Sequence, residues 1–145
     1  MKKIVTNNLK ETQTFGYDFA ENLHGGEVIA LYGDLGSGKT TFMQGLAKGL
    51  GITKNIISPT FIIMRTYVLG TKEKGLGLRN LYHLDLYRIE NEAHAVDLGL
   101  KELMGDHENV VAIEWPDKIE NMLPEKRINL YFEYLEEDKR QITIE

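Results

Sequence analysis

The stretch Gly33-Asp-Leu-Gly-Ser-Gly38-Lys39-Thr40 places a lysine and a hydroxyl directly behind a run of spaced glycines. That order can grip the phosphates of a nucleotide. Glycines let the backbone curl tightly and turn successive N–H groups inward at phosphate oxygens with no side chain in the way, and Gly33, Gly36 and Gly38 meet that demand. Lys39 can bridge the β- and γ-phosphates, the Thr40 hydroxyl can ligate Mg²⁺, and the helix that follows would present its positive N-terminal end to the anion. A glycine-rich turn can share the spacing, so the flanks decide. Glu27–Tyr32 is a near-continuous apolar run that predicts a buried strand entering the loop, and Phe42, Met43, Leu46, Ala47 and Leu50 predict one face of a helix leaving it, stopped at Gly51.

A magnesium-nucleotide site also needs a carboxylate at the end of a neighbouring strand. Glu114 closes the apolar run Val110–Glu114 and is the better candidate; its bland alternative is a carboxylate meeting solvent. Asp85 stands in an alternating stretch, Leu81–Tyr87, where it either serves the site or points outward to water or to an arginine such as Arg88. Thr60, in Ser58-Pro-Thr-Phe61, is the candidate for sensing the γ-phosphate, against a simple proline turn. His83 reads more readily as structural than catalytic, and with His24, His94 and His107 it forms no metal-ligand spacing. Trp115 reads as packing beside Glu114. Lys72, Lys74 and Arg79 read as a solvated loop rather than a contact for RNA or a partner.

The elements that would position these groups follow from pattern. Lys3–Thr6 predicts a short strand, and Asn8 with Glu11 has the spacing of a capping box opening a helix with Phe15, Phe19 and Leu23 on its apolar face. Phe61–Tyr67 and Leu81–Tyr87 predict two strands around the polar tip Val68–Asn80. A helix is expected over Ala93–Met104, an irregular segment between Pro116 and Pro124, and a closing hairpin across Leu135–Asp138. The 145 residues, 42% hydrophobic, suit one compact domain spanning 1–145. The predicted architecture is a three-layer α/β P-loop NTPase fold, with helices on both faces of a mixed, mainly parallel sheet.

Composition excludes several functions. A formal charge of −5 argues against a nucleic-acid groove over the whole surface, and with no cysteine there is no disulfide, thiolate metal site or cysteine nucleophile. No run of eighteen apolar residues suggests a membrane span, so the expected location is the cytoplasm. The Asn-Lys-x-Asp stretch common in GTP switches is missing, which favours ATP. No arginines cluster as a kinase lid, and a hydrolase without an arginine finger forgoes roughly 10³- to 10⁵-fold in rate, so slow hydrolysis is expected unless a partner completes the site. A small-molecule kinase and a nucleotide-gated binding module remain the alternatives.

Taken together, Gly33–Phe42, Ser58–Phe61, Tyr82–Arg88 (YHLDLYR), Asp97–Leu100 (DLGL) and Glu114–Pro116 (EWP), in this order, resemble the TsaE family, also called YjeE. The resemblance spans nearly the whole chain. It implies a P-loop ATPase that supports formation of N6-threonylcarbamoyladenosine at position 37 of tRNAs reading codons that begin with A, acting on a complex of TsaB and TsaD to permit repeated cycles. By matching position it implies that Leu35, Gly36, Ser37, Gly38, Lys39, Thr40 and Thr41 hold ATP phosphates, with Thr40 and Glu114 as Mg²⁺ ligands. It associates Asp85 with hydrolysis and Thr60 with a switch-like segment. Trp115 matches a functionally important tryptophan. Leu9, Thr12 and Arg140 are implied near the adenine. Contact with tRNA is expected to be indirect, and no membrane partner is implied. The tip Gly70–Asn80 looks longer than the family's connection there.

Overall fold

Elements form where polarity pattern and end signals agree. In the computed structural model, which describes residues 1–59, 62–69 and 78–145, strand β1 (Lys2–Thr6) leads through Asn8 into helix α1 (Leu9–Ala20). The Asn8 side chain accepts from the Glu11 amide at 2.8 Å, and the Glu11 carboxylate accepts from the Asn7 amide at 3.0 Å. This is a capping box of the expected spacing whose return bond lands one residue earlier than the standard form. Then follow β2 (Val28–Tyr32), α2 (Lys39–Gly49), β3 (Met64–Val68), β4 (Asn80–Asp85), α3 (Glu92–Asp97), α4 (Leu100–Met104), β5 (Asn109–Glu114), a 3₁₀ segment (Pro116–Met122), β6 (Ile128–Glu136) and β7 (Lys139–Ile144). The single helix expected over Ala93–Met104 is thus two. Gly99 at φ +71 leaves the right-handed region and breaks it.

The strands form one mixed sheet in the order β1-β7-β6-β2-β5-β4-β3. Strands β4 and β5 are parallel, whereas β1/β7, β6/β7 and β3/β4 are antiparallel. The α/β class is the one expected, but the antiparallel share is larger than a mainly parallel sheet implies. The cause is local: a tight turn at Glu137 and Asp138 can return β7 beside β6 only antiparallel, and β3 and β4 likewise pair as a hairpin.

The chain packs as two compact units. One comprises Met1–Leu23, Leu31–Ser58 and Asn129–Glu145; the other comprises His24–Ala30 and Pro59–Ile128. In the first, α1 and α2 meet at backbone range. A methyl group at Gly45 would overlap the Gln13 carbonyl, and one at Gly16 the Phe42 carbonyl. The fully buried residues of α1 are the small set Thr12, Gly16 and Ala20, while Leu23 of the expected apolar face is buried just beyond the helix end. Phe15 and Phe19 stay half-buried and join Phe42 in a ring cluster with centroids 5.6 to 6.0 Å apart, extended by Phe132. In the second unit, Leu84, Leu86, Val111, Ile113, Leu100 and Ile119 form the heart of the core.

This close approach of helices makes a stability prediction with competing signs. Gly45→Ala gains about 1 kcal/mol of helix propensity, but pressing a methyl against a backbone carbonyl loses about 1 to 3 kcal/mol. The clash lies with backbone that cannot rotate away, so the expected net result is a lower urea midpoint with an unchanged slope. A midpoint at or above that of the parent chain would show that α1 and α2 separate without loss.

Candidate functional site

Strand β2 delivers the chain into the glycine loop, where Gly33, Gly36 and Gly38 take φ values of +147, +78 and +109. Two of them serve different ends. A Cβ at Gly33 would stand 2.6 Å from Ser37 Oγ and 2.8 Å from the Phe132 carbonyl, so Gly33 permits the curl itself. A Cβ at Gly36 would meet nothing within 4 Å, which makes this the side open to an incoming ligand. Lys39 is 4% exposed, and its ammonium donates to the Gly33 carbonyl, folding the side chain back over the loop. No side chain caps α2 at Gly38. Its leading N–H groups and the positive end of its dipole are thus left in a form that can receive an anion, with Thr40 and Thr41 half-buried in the first turn. Ser37 Oγ is buried and has no hydrogen-bond partner among the described residues. A cavity of about 340 Å³ lies beside the loop, lined by Gly33, Asp34, Leu35 and Ser37 on one side and Phe132–Tyr134 on the other.

Arg140 reaches the same loop from β7. Its stem lies 3.3 Å from where a Cβ on Gly38 would stand, and its guanidinium sits 4.8 Å over the Tyr134 ring. One of its nitrogens donates to the Glu137 and Lys139 carbonyls at 2.7 and 3.0 Å. Arg140 pairs with Thr6 across the β1/β7 ladder, which brings the entry of α1 to the same end of that ladder. There Leu9 is exposed, while Thr12 is fully buried with its hydroxyl bonded to Thr6 at 2.7 Å. Thr12 therefore ties helix to strand. All of these residues belong to the first unit.

The carboxylates belong to the second. Parallel pairing of β4 with β5 puts Asp85 and Glu114 on one rung at the carboxyl ends of both strands. Both are buried, at 3% exposure, so neither carboxylate points out to water. Asp85 accepts from the Tyr87 amide at 3.0 Å. Glu114 accepts from His83 Nε2 at 2.6 Å, a partner that sequence alone treated as structural. Trp115 follows in the left-handed region at φ +59, directly before Pro116, with its ring against Tyr87 at 5.1 Å. Arg79 forms an exposed ion pair with Glu108 at 3.6 Å. Thr60, Lys72 and Lys74 lie outside the described residues. Among the described residues no cluster of three or more His, Asp or Glu could hold a metal by itself, and no helix is long and apolar enough to cross a membrane.

A glycine loop between a buried strand and a helix, on an open mixed sheet, defines a P-loop NTPase fold. The solved structure described as "Crystal structure of Bacillus subtilus YdiB" is similar over 99% of this chain and 83% of that one, with TM-score 0.76 and 35% identity. The family model described as "Threonylcarbamoyl adenosine biosynthesis protein TsaE" matches residues 6–142, and the chain belongs to the TsaE family. Curated relatives carry the name "tRNA threonylcarbamoyladenosine biosynthesis protein TsaE". The one from Bacillus subtilis (strain 168) is 41% identical, with 95% of this chain and 81% of the relative covered. The one from Nostoc sp. is 40% identical, over 99% and 85% respectively, and the one from Treponema pallidum 33%, over 98% of both.

The loop geometry yields a direct test. Gly33→Ala forces a side chain into the φ +147 backbone and against Phe132, and a local rearrangement that loses about 1.4 kcal/mol of ligand contact weakens binding about tenfold. Titration with a fluorescent ATP analogue should show at least that loss. Parental affinity in the variant would mean that nucleotide does not use this loop.

Proposed function

We propose that this protein is a Mg²⁺-dependent ATPase that supports threonylcarbamoylation of adenosine 37 in tRNAs reading codons that begin with A, acting on a TsaB–TsaD complex to permit repeated cycles. The observation that carries the reading is the phosphate loop, with its glycine φ values and buried Lys39, in a chain matched to the TsaE family over residues 6–142. The names of the relatives support the pathway.

In this reading the loop amides from Leu35 to Thr41 surround the phosphates, and Lys39 leaves the Gly33 carbonyl for the β- and γ-phosphate oxygens. Thr40 contributes a hydroxyl to Mg²⁺ and Glu114 a carboxylate. Such a donor set suits a small hard cation that keeps several waters, and a dedicated cluster of three protein ligands is not needed for it. The cation supplies neutralisation of charge developing on the phosphates. Asp85 takes part in hydrolysis, and Thr60 responds to the γ-phosphate. Arg140 and Leu9 face the base, with Thr12 holding the entry of α1 in place. The work of hydrolysis is done on the TsaB–TsaD complex in the cytoplasm, so tRNA is engaged indirectly.

Because this reading assigns no arginine of the chain to the phosphates, the isolated protein should turn over ATP slowly, on the order of 10⁻² per second or less. Steady-state hydrolysis should rise when cognate TsaB and TsaD are added and fall to background in Lys39→Ala under both conditions. Many turnovers per second by the chain alone, or a rate indifferent to both partners, would overturn the accessory role.

A further inference from the structure

We infer that His83 is a positioning residue that holds the Glu114 carboxylate in its ligating orientation, an inference that rests on the reading of Glu114 as a Mg²⁺ ligand. His83 is fully buried, and the Glu114 side chain is 4% exposed. Residues alternate faces along a strand, so His83 and Asp85 of β4 share a face with Ala112 and Glu114 of β5. The rung opposite His83 is Ala112, whose small side chain leaves the imidazole room to lean along β5 toward Glu114.

With Glu114 read as an ionised metal ligand, the 2.6 Å contact has a defined direction. A carboxylate has no proton to give, so Nε2–H donates to Glu114 Oε2, and a hydrogen bond to an ionised acceptor is short and strong. The other ring nitrogen, Nδ1, has no partner among the described residues. A histidine kept only to knit the core would ordinarily satisfy both nitrogens. Among the described residues the ring's one polar partner is Glu114, and the tautomer with the proton on Nε2 leaves only a lone pair at the buried Nδ1. The bond to His83 is likewise the one hydrogen bond that the Glu114 side chain makes among the described residues. One carboxylate oxygen is fixed and the other remains to coordinate. Ligating carboxylates are commonly oriented in this way, and loss of the orienting partner typically weakens metal binding or activity about 10- to 100-fold.

The test compares four full-length chains: the parent, His83→Leu, His83→Gln and Glu114→Gln. Leucine keeps bulk without a donor, whereas the glutamine amide can place an N–H near the position of Nε2. Calorimetric titration with a non-hydrolysable ATP analogue, once in EDTA and once in Mg²⁺, gives the factor by which Mg²⁺ tightens binding. Expected are similar affinities in EDTA for all four chains, a Mg²⁺ factor about 10- to 100-fold smaller in His83→Leu, and recovery of most of that factor in His83→Gln. A parental Mg²⁺ factor in His83→Leu alongside a reduced one in Glu114→Gln would overturn the inference alone. An unchanged factor in Glu114→Gln would remove the metal-ligand reading beneath it. Equal losses in both His83 variants, or a loss already present in EDTA, would make His83 a structural filler and likewise overturn the inference. Should His83→Leu not fold, His83→Asn, whose amide falls short of Glu114, takes its place under the same criteria.

Discussion

The governing constraint is that the curled backbone of the glycine loop, the uncapped N–H groups opening α2 and the Lys39 ammonium lie close together, the ammonium held on the Gly33 carbonyl. Like-signed dipoles resist such an arrangement, and only a backbone with little freedom keeps it. Gly33 supplies the curl, with Ser37 and the Phe132 carbonyl closing the space around it, and Arg140 lies along Gly38. Behind the loop, α2 is seated so tightly on α1 that three glycines, Gly16, Gly45 and Gly49, stand where no side chain fits. A helix that cannot slide keeps its N-terminal end aimed. The aromatic cluster around Phe42 then fills the space beside the two helices rather than the seam between them.

In the second unit the constraint is the opposite charge. Burying a carboxylate is unfavourable unless it is paired or hydrogen-bonded, and this unit buries two on one rung. The solutions differ. Asp85 is drawn to backbone through the Tyr87 amide, whereas Glu114 is met by an imidazole. Main-chain bonds reinforce the rung, since the Asp85 amide donates to the Ile63 carbonyl and the Leu86 amide to the Glu114 carbonyl, at 2.8 and 3.1 Å. The carboxyl ends of parallel strands are where α/β sheets place ligands, so both acids stand at the position the fold favours for chemistry.

Legibility from sequence followed the range of the interaction. The glycine loop was readable because it lies in consecutive residues whose curled backbone needs glycine, and the strand before it and helix after it were readable by hydrophobic period. The capping of α1 by Asn8 was readable for the same reason. The His83–Glu114 pair was not, because it joins residues 31 apart through a strand register that no local pattern encodes. Asp85 was ambiguous because alternation along a strand says that two faces differ, not which of them is covered. The apolar face Phe15, Phe19 and Leu23 does pack inward, but the closest seam, at Gly16 and Gly45, carries no apolar signal because close backbone approach favours glycine over bulk. The break at Gly99 was missed because the apolar period runs across it.

Trp115 connects these themes. A bulky residue in the left-handed region is strained by about 1 to 3 kcal/mol, and the following proline restricts the backbone further. Such strain persists only where surrounding structure enforces it. Here the enforcement comes from both sides: β5 is fully buried up to Glu114, and Pro116 opens a 3₁₀ segment anchored by the buried Ile119. The chain must therefore turn sharply within one residue of the carboxylate. A relaxed continuation would extend β5 and carry Glu114 away from the strand end into the middle of a ladder. The turn at Trp115 therefore sits at the end of β5, one residue past the carboxylate that His83 Nε2 contacts at 2.6 Å.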